Sequence, residues 1–215
     1  MRFELVGVIG AAGFASGDRV VIGRWSSSPV GPMVDVMWAA PDGTRTLFAP
    51  RPEVAELITA VYDFDEVEVV SITSLGSDDA RIEVAFADRE VRLVGGRARS
   101  IPFPWRPAWV TRLIEAPVAR LAMGVRTYGV SSRGVREWYR SDRWRPVQEA
   151  RAAVAGIDLG PLAPVDPPCR FGFSEPPRRP SITSVRPLLE DPSGALDGVL
   201  DSLRTAGPGD GRGDD

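Results

Sequence analysis

The chain has 215 residues, of which 43% are apolar and 26% are charged, and its net charge of −3 gives no overall attraction to nucleic acid or anionic membranes. It contains no Lys, His or Asn, so all 26 basic residues are Arg. These absences exclude a lysine Schiff base, a Walker A phosphate site and a Ser-His-Asp or Cys-His nucleophile pair. They also argue against a zinc or haem site, and we predict neither a metal nor a cofactor.

The length and composition predict one globular domain over residues 1–191. An Arg- and Pro-rich stretch between the predicted elements leaves open a division into two halves, 1–96 and 108–191. Residues 192–215 are predicted to be a tail, in which a short amphipathic helix precedes a disordered Gly- and Asp-rich end.

The compartment is predicted from cysteine usage and from the first residues. Cys169 is the only cysteine and cannot form an intramolecular disulfide, which favours a cytoplasmic protein. The apolar run at residues 5–15 is short and Gly-rich, and the charge of Arg2 is offset by Glu4, so a signal peptide is disfavoured. No apolar stretch has the length of a membrane-spanning helix.

Strand patterns dominate the first hundred residues. Gly7, Gly10 and Gly13 are spaced like a dinucleotide-binding turn, but no amphipathic helix follows, so we interpret them as a flexible turn between strands. A Pro-Asp-Gly turn at 41–43 predicts a hairpin, and the apolar spacing from Pro52 to Val61 predicts a helix. Strands are predicted at 19–25, 33–39, 44–49, 66–72, 81–86 and 90–94.

The second half of the chain mixes helix and strand patterns. Apolar spacing predicts a helix at 107–122 that is kinked at Pro117. Residues 146–156 fit either a short helix or a hairpin. Further strands are predicted at 125–130, 135–140, 171–173 and 181–186. Together these patterns predict a β-rich α+β fold, with a curved antiparallel sheet or a closed, cone-like barrel and two or three helices.

A hairpin with a four-residue turn at 131–134 would place Tyr128 opposite Glu137 and Arg126 opposite Tyr139. All four side chains would then share one face. If that face points inward, it makes a polar floor that can orient a small carboxylate or carbonyl ligand. If it points outward, it is a surface ladder of satisfied polar groups.

Two other charged segments have competing interpretations. Asp63, Asp65, Glu66 and Glu68 could bind a hard cation, but strand alternation favours a solvated face, so no metal site is predicted. Arginines and aromatic residues alternate over 126–151, as they can in nucleic-acid-binding surfaces. We favour arginines that pair with acids and cover aromatic rings.

Residues 25–35 read Trp-Ser-Ser-Ser-Pro-Val-Gly-Pro-Met-Val-Asp. This segment resembles the acetoacetate decarboxylase-like superfamily, in which a strand leads into a Ser-Pro-Val-Gly-Pro-type loop followed by an aromatic residue and an acid. Here Met33 takes the aromatic place, and Asp35 stands near the acidic one. The resemblance implies a cone-like antiparallel β structure around a small-molecule pocket. The family's decarboxylases use a lysine Schiff base, so the absence of Lys excludes that reaction here.

We therefore expect a protein that binds a small anionic or carbonyl-containing molecule in a β-enclosed pocket. Arg126 would anchor charge, Glu137 is the candidate catalytic base, and Tyr128 and Tyr139 would donate hydrogen bonds. Whether the protein is an enzyme is left open; catalysis would rest on Asp, Glu and Tyr. The mouth of the pocket would be lined by Asp35, Arg178 and Arg179.

The alternative is a protein-interaction module without a small ligand. Its contact surfaces would be the C-terminal amphipathic segment and the Pro-rich loop at 174–180. Nucleic-acid binding through the Arg-rich hairpin is a weaker third interpretation, and the oligomeric state is left open.

Overall fold

The computed structural model describes residues 1–75, 78–100, 128–172 and 174–198. Strands dominate this part of the chain, and the larger of two sheets curls into a half-barrel, which confirms the prediction of a β-rich, curved fold. The described residues contain one helix with defined bounds, not two or three. The helix predicted at 107–122 lies outside them. Within the described ranges, no helix has the length and apolar character needed to span a membrane.

Between residues 19 and 61 the elements follow the predicted order closely, because the alternating apolar residues and the turn residues agree. The Pro-Asp-Gly turn joins two antiparallel strands as predicted, with Gly43 at a φ of 95°. The elements are β1 (Arg2–Glu4), β2 (Val6–Phe14), β3 (Arg19–Ser27), β4 (Met33–Ala39), β5 (Arg45–Ala49) and α1 (Pro52–Val61).

The glycines of β2 are not in a turn, so our interpretation of Gly7, Gly10 and Gly13 was wrong. All three lie within β2, which pairs with β3 on one side. A Cβ atom on Gly10 would lie 2.7 Å from the Cδ1 atom of Ile82, and one on Gly13 would collide with the carbonyl oxygen of Pro164. The glycines are needed because other backbone and side chains approach this strand closely.

The remaining strands complete the fold. Residues predicted as one strand at 66–72 form two, separated by Val70 and Ser71. The strands are β6 (Glu66–Val69), β7 (Ile72–Leu75), β8 (Arg81–Phe86), β9 (Arg89–Gly95), β10 (Arg99–Ser100), β11 (Tyr128–Val130), β12 (Arg136–Trp138), β13 (Ser141–Val154), β14 (Ile157–Asp158), β15 (Leu162–Ala163), β16 (Ser181–Val185) and β17 (Leu188–Glu190).

The ambiguous segment at 146–156 belongs to a hairpin rather than to a helix. It forms the end of β13, which turns at Ala155 and Gly156 and pairs with β14. Both turn residues have positive φ, as a two-residue hairpin loop requires. The strand predicted at 171–173 was wrong: Phe171 and Gly172 lie in bends, and residue 173 is outside the described ranges.

The two sheets are built from distant parts of the chain. The large sheet runs in the order β6-β5-β4-β3-β2-β16-β13-β9-β8-β7, with β10, β14 and β15 paired alongside. Its two ends, β6 and β7, are consecutive in sequence, so the sheet curls back on itself. The small sheet has the order β1-β17-β12-β11.

One buried cluster packs on each face of the large sheet. Inside the curl, β8 and β9 pack over β2, β3 and β4 through residues such as Ile22, Ile82 and Leu93. On the other face, α1 and the small sheet pack through residues such as Leu57 and Leu189. Polar side chains within this second layer form the candidate site.

The hairpin between β11 and β12 is confirmed, but its predicted register was wrong. Tyr128 lies opposite Trp138, and Gly129 lies opposite Glu137. The turn is shorter than predicted by one residue, because the amide of Ser131 already donates to the carbonyl of Val135. Gly134, with a φ of 87°, completes this three-residue loop.

Candidate functional site

Glu137 points into the protein. It lies on β12 and is only 3% exposed, in the layer between the small sheet and the large sheet. The hydroxyl of Tyr62, the residue that follows α1, donates to its Oε2 atom at 3.1 Å. The side chain thus joins the small sheet to the C-terminal end of the helix.

A second carboxyl group enters the same layer from the large sheet. Asp35 is 1% exposed, because alternation along β4 turns it to the side of α1 while Val34 and Val36 turn into the curl. The indole Nε1 of Trp25 donates to its Oδ1 atom at 2.7 Å. Gly23 lies directly opposite Asp35, and a Cβ atom there would stand 2.5 Å from that oxygen. A glycine at this position makes room for the Trp25–Asp35 hydrogen bond.

Asp35, Tyr62, Glu137 and Tyr139 form what we call the buried polar cluster. Tyr139 packs against the same apolar layer, and burial followed by the charge of Glu137 raises its pKa far above the usual value. Burial, and then the charge of Glu137, also raises the pKa of Tyr62, to which Asp35 contributes more weakly. The four groups are therefore close enough to interact electrostatically.

Burial changes the protonation of both carboxyl groups. Loss of solvation raises the pKa of Glu137 to about 7, although the Tyr62 hydrogen bond acts in the opposite direction. The same cause raises the pKa of Asp35 to about 7, against the effect of the Trp25 hydrogen bond. Near neutral pH each group can therefore act either as a hydrogen-bond donor or as a proton acceptor.

The cluster includes part of the predicted site. Glu137, Tyr139 and Asp35 are brought together in the layer between the two sheets. Tyr128 is on the opposite side of the hairpin, where its ring packs at 5.2 Å from that of Trp138. Arg126 lies outside the described residues.

The two arginines predicted at the pocket mouth have other described contacts. Arg178 is exposed and forms an ion pair with Asp166 at 2.8 Å. The guanidinium of Arg179 lies 5.5 Å from the ring centre of Trp144. These contacts attach the Pro-rich loop to neighbouring parts of the same chain.

Tyr62 and Trp25 were missed by the sequence analysis. Both act through their polar atoms in an apolar layer. Trp25 opens the segment at 25–35, but that pattern does not reveal its bond to Asp35, and Tyr62 has no local motif around it. A signal was available for Tyr62, since it directly follows the apolar stripe of α1 and is one of only three tyrosines. Its contact with Glu137 joins residues 75 positions apart, which periodicity cannot reveal.

Several arginines of the Arg-rich hairpin and β13 pair with acids of this chain. Arg136 pairs with Glu190 at 3.5 Å and Arg143 with Asp79 at 3.1 Å. Arg133 and Arg140 are similarly placed near acids. This pairing favours a satisfied surface over a phosphate-binding one.

Within the described ranges, no group of three or more Cys, Asp or Glu side chains is arranged to hold a metal ion. Comparison of the chain with protein-family models, curated proteins and solved structures finds no match.

Proposed function

We propose that this protein binds a small carbonyl-containing molecule at the buried polar cluster. The observation that carries the proposal is the burial of two carboxyl groups, Asp35 and Glu137, at 1% and 3% exposure beside two phenols. Burying such groups costs free energy unless they are well partnered, so an arrangement of this kind is more typical of a binding site than of a core.

The protonation of the cluster favours a carbonyl group as the ligand. A protonated carboxyl group and a phenol both donate hydrogen bonds, and a carbonyl oxygen accepts them. An anionic ligand would meet repulsion whenever Asp35 or Glu137 ionises. The anionic alternative requires a nearby cation, the role for which the sequence suggests Arg126.

Acid–base catalysis on such a ligand is compatible with the same groups. With a pKa of about 7, Glu137 can take a proton at neutral pH while a second donor stabilises the oxygen of the carbonyl group. The segment at 25–35 that resembles the acetoacetate decarboxylase-like superfamily contributes Asp35 to this cluster. The chemistry would be proton transfer without a Schiff base.

The described residues give less support to an interaction module of the predicted kind. Leu196 of the C-terminal apolar stripe is 1% exposed and packs in the protein's own core. The loop at 174–180 is anchored through Arg178 and Arg179, as described above.

The proposal is tested with matched ketones and alcohols. Native mass spectrometry of the purified protein should detect any co-purifying molecule, and ligand-observed NMR should compare acetophenone with 1-phenylethanol and similar pairs. We expect ketones to bind in preference to their alcohols. Glu137→Leu and Tyr62→Phe should each weaken that binding by about 5- to 150-fold, the effect of losing a buried hydrogen bond of 1–3 kcal/mol.

Tyr128→Phe provides the control, because it removes the same hydroxyl from the opposite side of the hairpin and should leave binding unchanged. Equal binding of ketones and alcohols, or equal affinity of the Glu137 variant and the native chain, would rule the proposal out.

A further inference from the structure

Strand β6 is the last strand at one end of the large sheet. It pairs in parallel with β5 on one side, and its four residues are all exposed. Strands at the edge of a sheet present backbone donors and acceptors that another chain can use.

The backbone of β6 directs alternate amides to its open side. The amide of Val70, the residue that follows β6, donates to the carbonyl of Ala49 in β5 at 2.9 Å. Because amides alternate along a strand, those of Glu66 and Glu68 also point toward β5, and those of Val67 and Val69 point away from it. Among the described residues no strand pairs with this side, so Val67 and Val69 offer two N–H groups and two carbonyl acceptors at the spacing that an added strand needs.

Apolar side chains are concentrated at this edge. Val67 is 47% exposed and Val69 is 50% exposed, on the face shared with Leu47 and Ala49. Among the described residues six large apolar side chains are exposed, and two of them, Val67 and Val69, lie in this four-residue strand. A strand added to β6 would cover the two valines.

The charge of the edge is negative. Asp65 is neutralised by Arg45, whose guanidinium lies 2.7 Å from its carboxylate. Glu66 accepts a hydrogen bond from the hydroxyl of Thr46, and Glu68 has no ion pair within the described ranges. Both glutamates therefore keep their charge available to a basic partner.

This charge also selects against a second copy of the same chain. In an antiparallel pairing of β6 with itself about Val67, Glu66 would lie opposite Glu68 of the other copy. Like charges directly opposite one another destabilise a strand pair. A basic strand would instead place its cations beside both carboxylates.

We infer that the open edge of β6 binds an extended basic segment of another protein, with Lys or Arg alternating with apolar residues, as an added antiparallel or parallel strand. Backbone hydrogen bonds to Val67 and Val69 supply the pairing. The two carboxylates supply the preference for basic side chains, and Val67 and Val69 receive the apolar ones.

The test uses a fluorescent peptide of four Val-Lys repeats and its Val-Glu counterpart, with fluorescence anisotropy as the measurement. We expect the full-length protein to bind the Val-Lys peptide and not the Val-Glu peptide. The double variant Glu66→Lys, Glu68→Lys should lose at least about tenfold in affinity for Val-Lys, since two opposite-charge contacts become repulsive.

The matched control is Glu90→Lys, Glu149→Lys, which makes the same change in net charge at exposed positions on β9 and β13. It should bind the Val-Lys peptide nearly as the native chain does. An equal loss in both double variants would mean attraction to net charge alone, and it would overturn the inference.

Hydrogen exchange distinguishes binding of the peptide as an added strand from binding through surface ion pairs alone. The Val-Lys peptide should slow exchange of the Val67 and Val69 amides and leave the inward amide of Glu68 unchanged. Binding without that alternate protection would overturn the inference, as would sedimentation showing that β6 instead joins two copies of this chain.

Discussion

At the scale of single residues, the notable feature is a pair of carboxyl groups held away from water. Glu137 and Asp35 each have a described neutral donor, Tyr62 and the indole of Trp25 respectively. Neutral donors stabilise a carboxylate less than a guanidinium would, so desolvation dominates and both pKa values rise to about 7.

The raised pKa of Glu137 makes stability depend on pH. The folded state binds this proton more tightly than the unfolded chain, whose value is near 4.5, so the free energy of unfolding falls as pH rises from 4.5 to about 7. Glu137→Gln cannot titrate. Its free energy of unfolding should rise relative to that of the native chain across this window, by on the order of 3 kcal/mol.

Urea denaturation at a series of pH values measures this difference. Glu149→Gln, at an exposed position on β13, should show a nearly constant difference from the native chain. A constant difference for Glu137→Gln as well would show that its carboxyl group is not desolvated in the folded protein.

At the scale of elements, the docking of the β11–β12 hairpin on α1 positions the cluster. The hydroxyl of Ser131 donates to the carbonyl of Ala60 at 2.9 Å and accepts from the amide of Val135 at 3.1 Å. The guanidinium of Arg133 donates to the carbonyl of Thr59. These bonds hold the end of the helix, and hence Tyr62, against Glu137.

Ser131→Ala should lower the free energy of unfolding by about 1–2 kcal/mol, because it leaves buried backbone groups without their partner. Chemical denaturation measures the loss, and NMR of the Tyr62 ring should report movement at the cluster. Ser132→Ala is the comparison: this neighbouring hydroxyl is exposed and bonds Asp63, so its removal should cost less than about 0.5 kcal/mol. Equal losses would refute the role given to Ser131.

The register of this hairpin is a feature that the sequence alone did not predict correctly. The turn residues correctly predicted a hairpin, but the face that alternation assigned to Glu137 wrongly included Tyr128. The number of loop residues depended on whether Ser131 paired with Val135, which its contact with α1 favours. A bond to a distant helix is not visible in a local pattern.

At the scale of the whole molecule, the sheets unite the two ends of the chain. Strand β2 pairs with β16, β9 with β13, and β1 with β17. The amino group of Met1 donates to the carbonyl of Asp191 at 2.8 Å. Strands from residues 1–100 and strands from residues 128–190 therefore complete one another's backbone pairing.

A fragment of residues 1–96 should consequently not fold alone, because β2 and β9 would each lose a neighbouring strand. Circular dichroism and the dispersion of amide NMR signals would measure this. Co-expression with residues 97–215 should restore a folded complex. A cooperative unfolding transition of the isolated fragment would instead support the division into two halves.

The sequence by itself determined the β-rich class, the position of α1, most strands of the first hundred residues, and the exclusion of lysine and histidine chemistry. These follow from periodicity, turn residues and composition, which are local or global properties of the chain. The tertiary structure alone decided that other residues pack closely against the glycines of β2. It also decided that Tyr62 contacts Glu137 on one side of the β11–β12 hairpin while Tyr128 lies on the other side. Those results depend on contacts between residues far apart in sequence, where packing and burial select one arrangement among several that the local pattern allows.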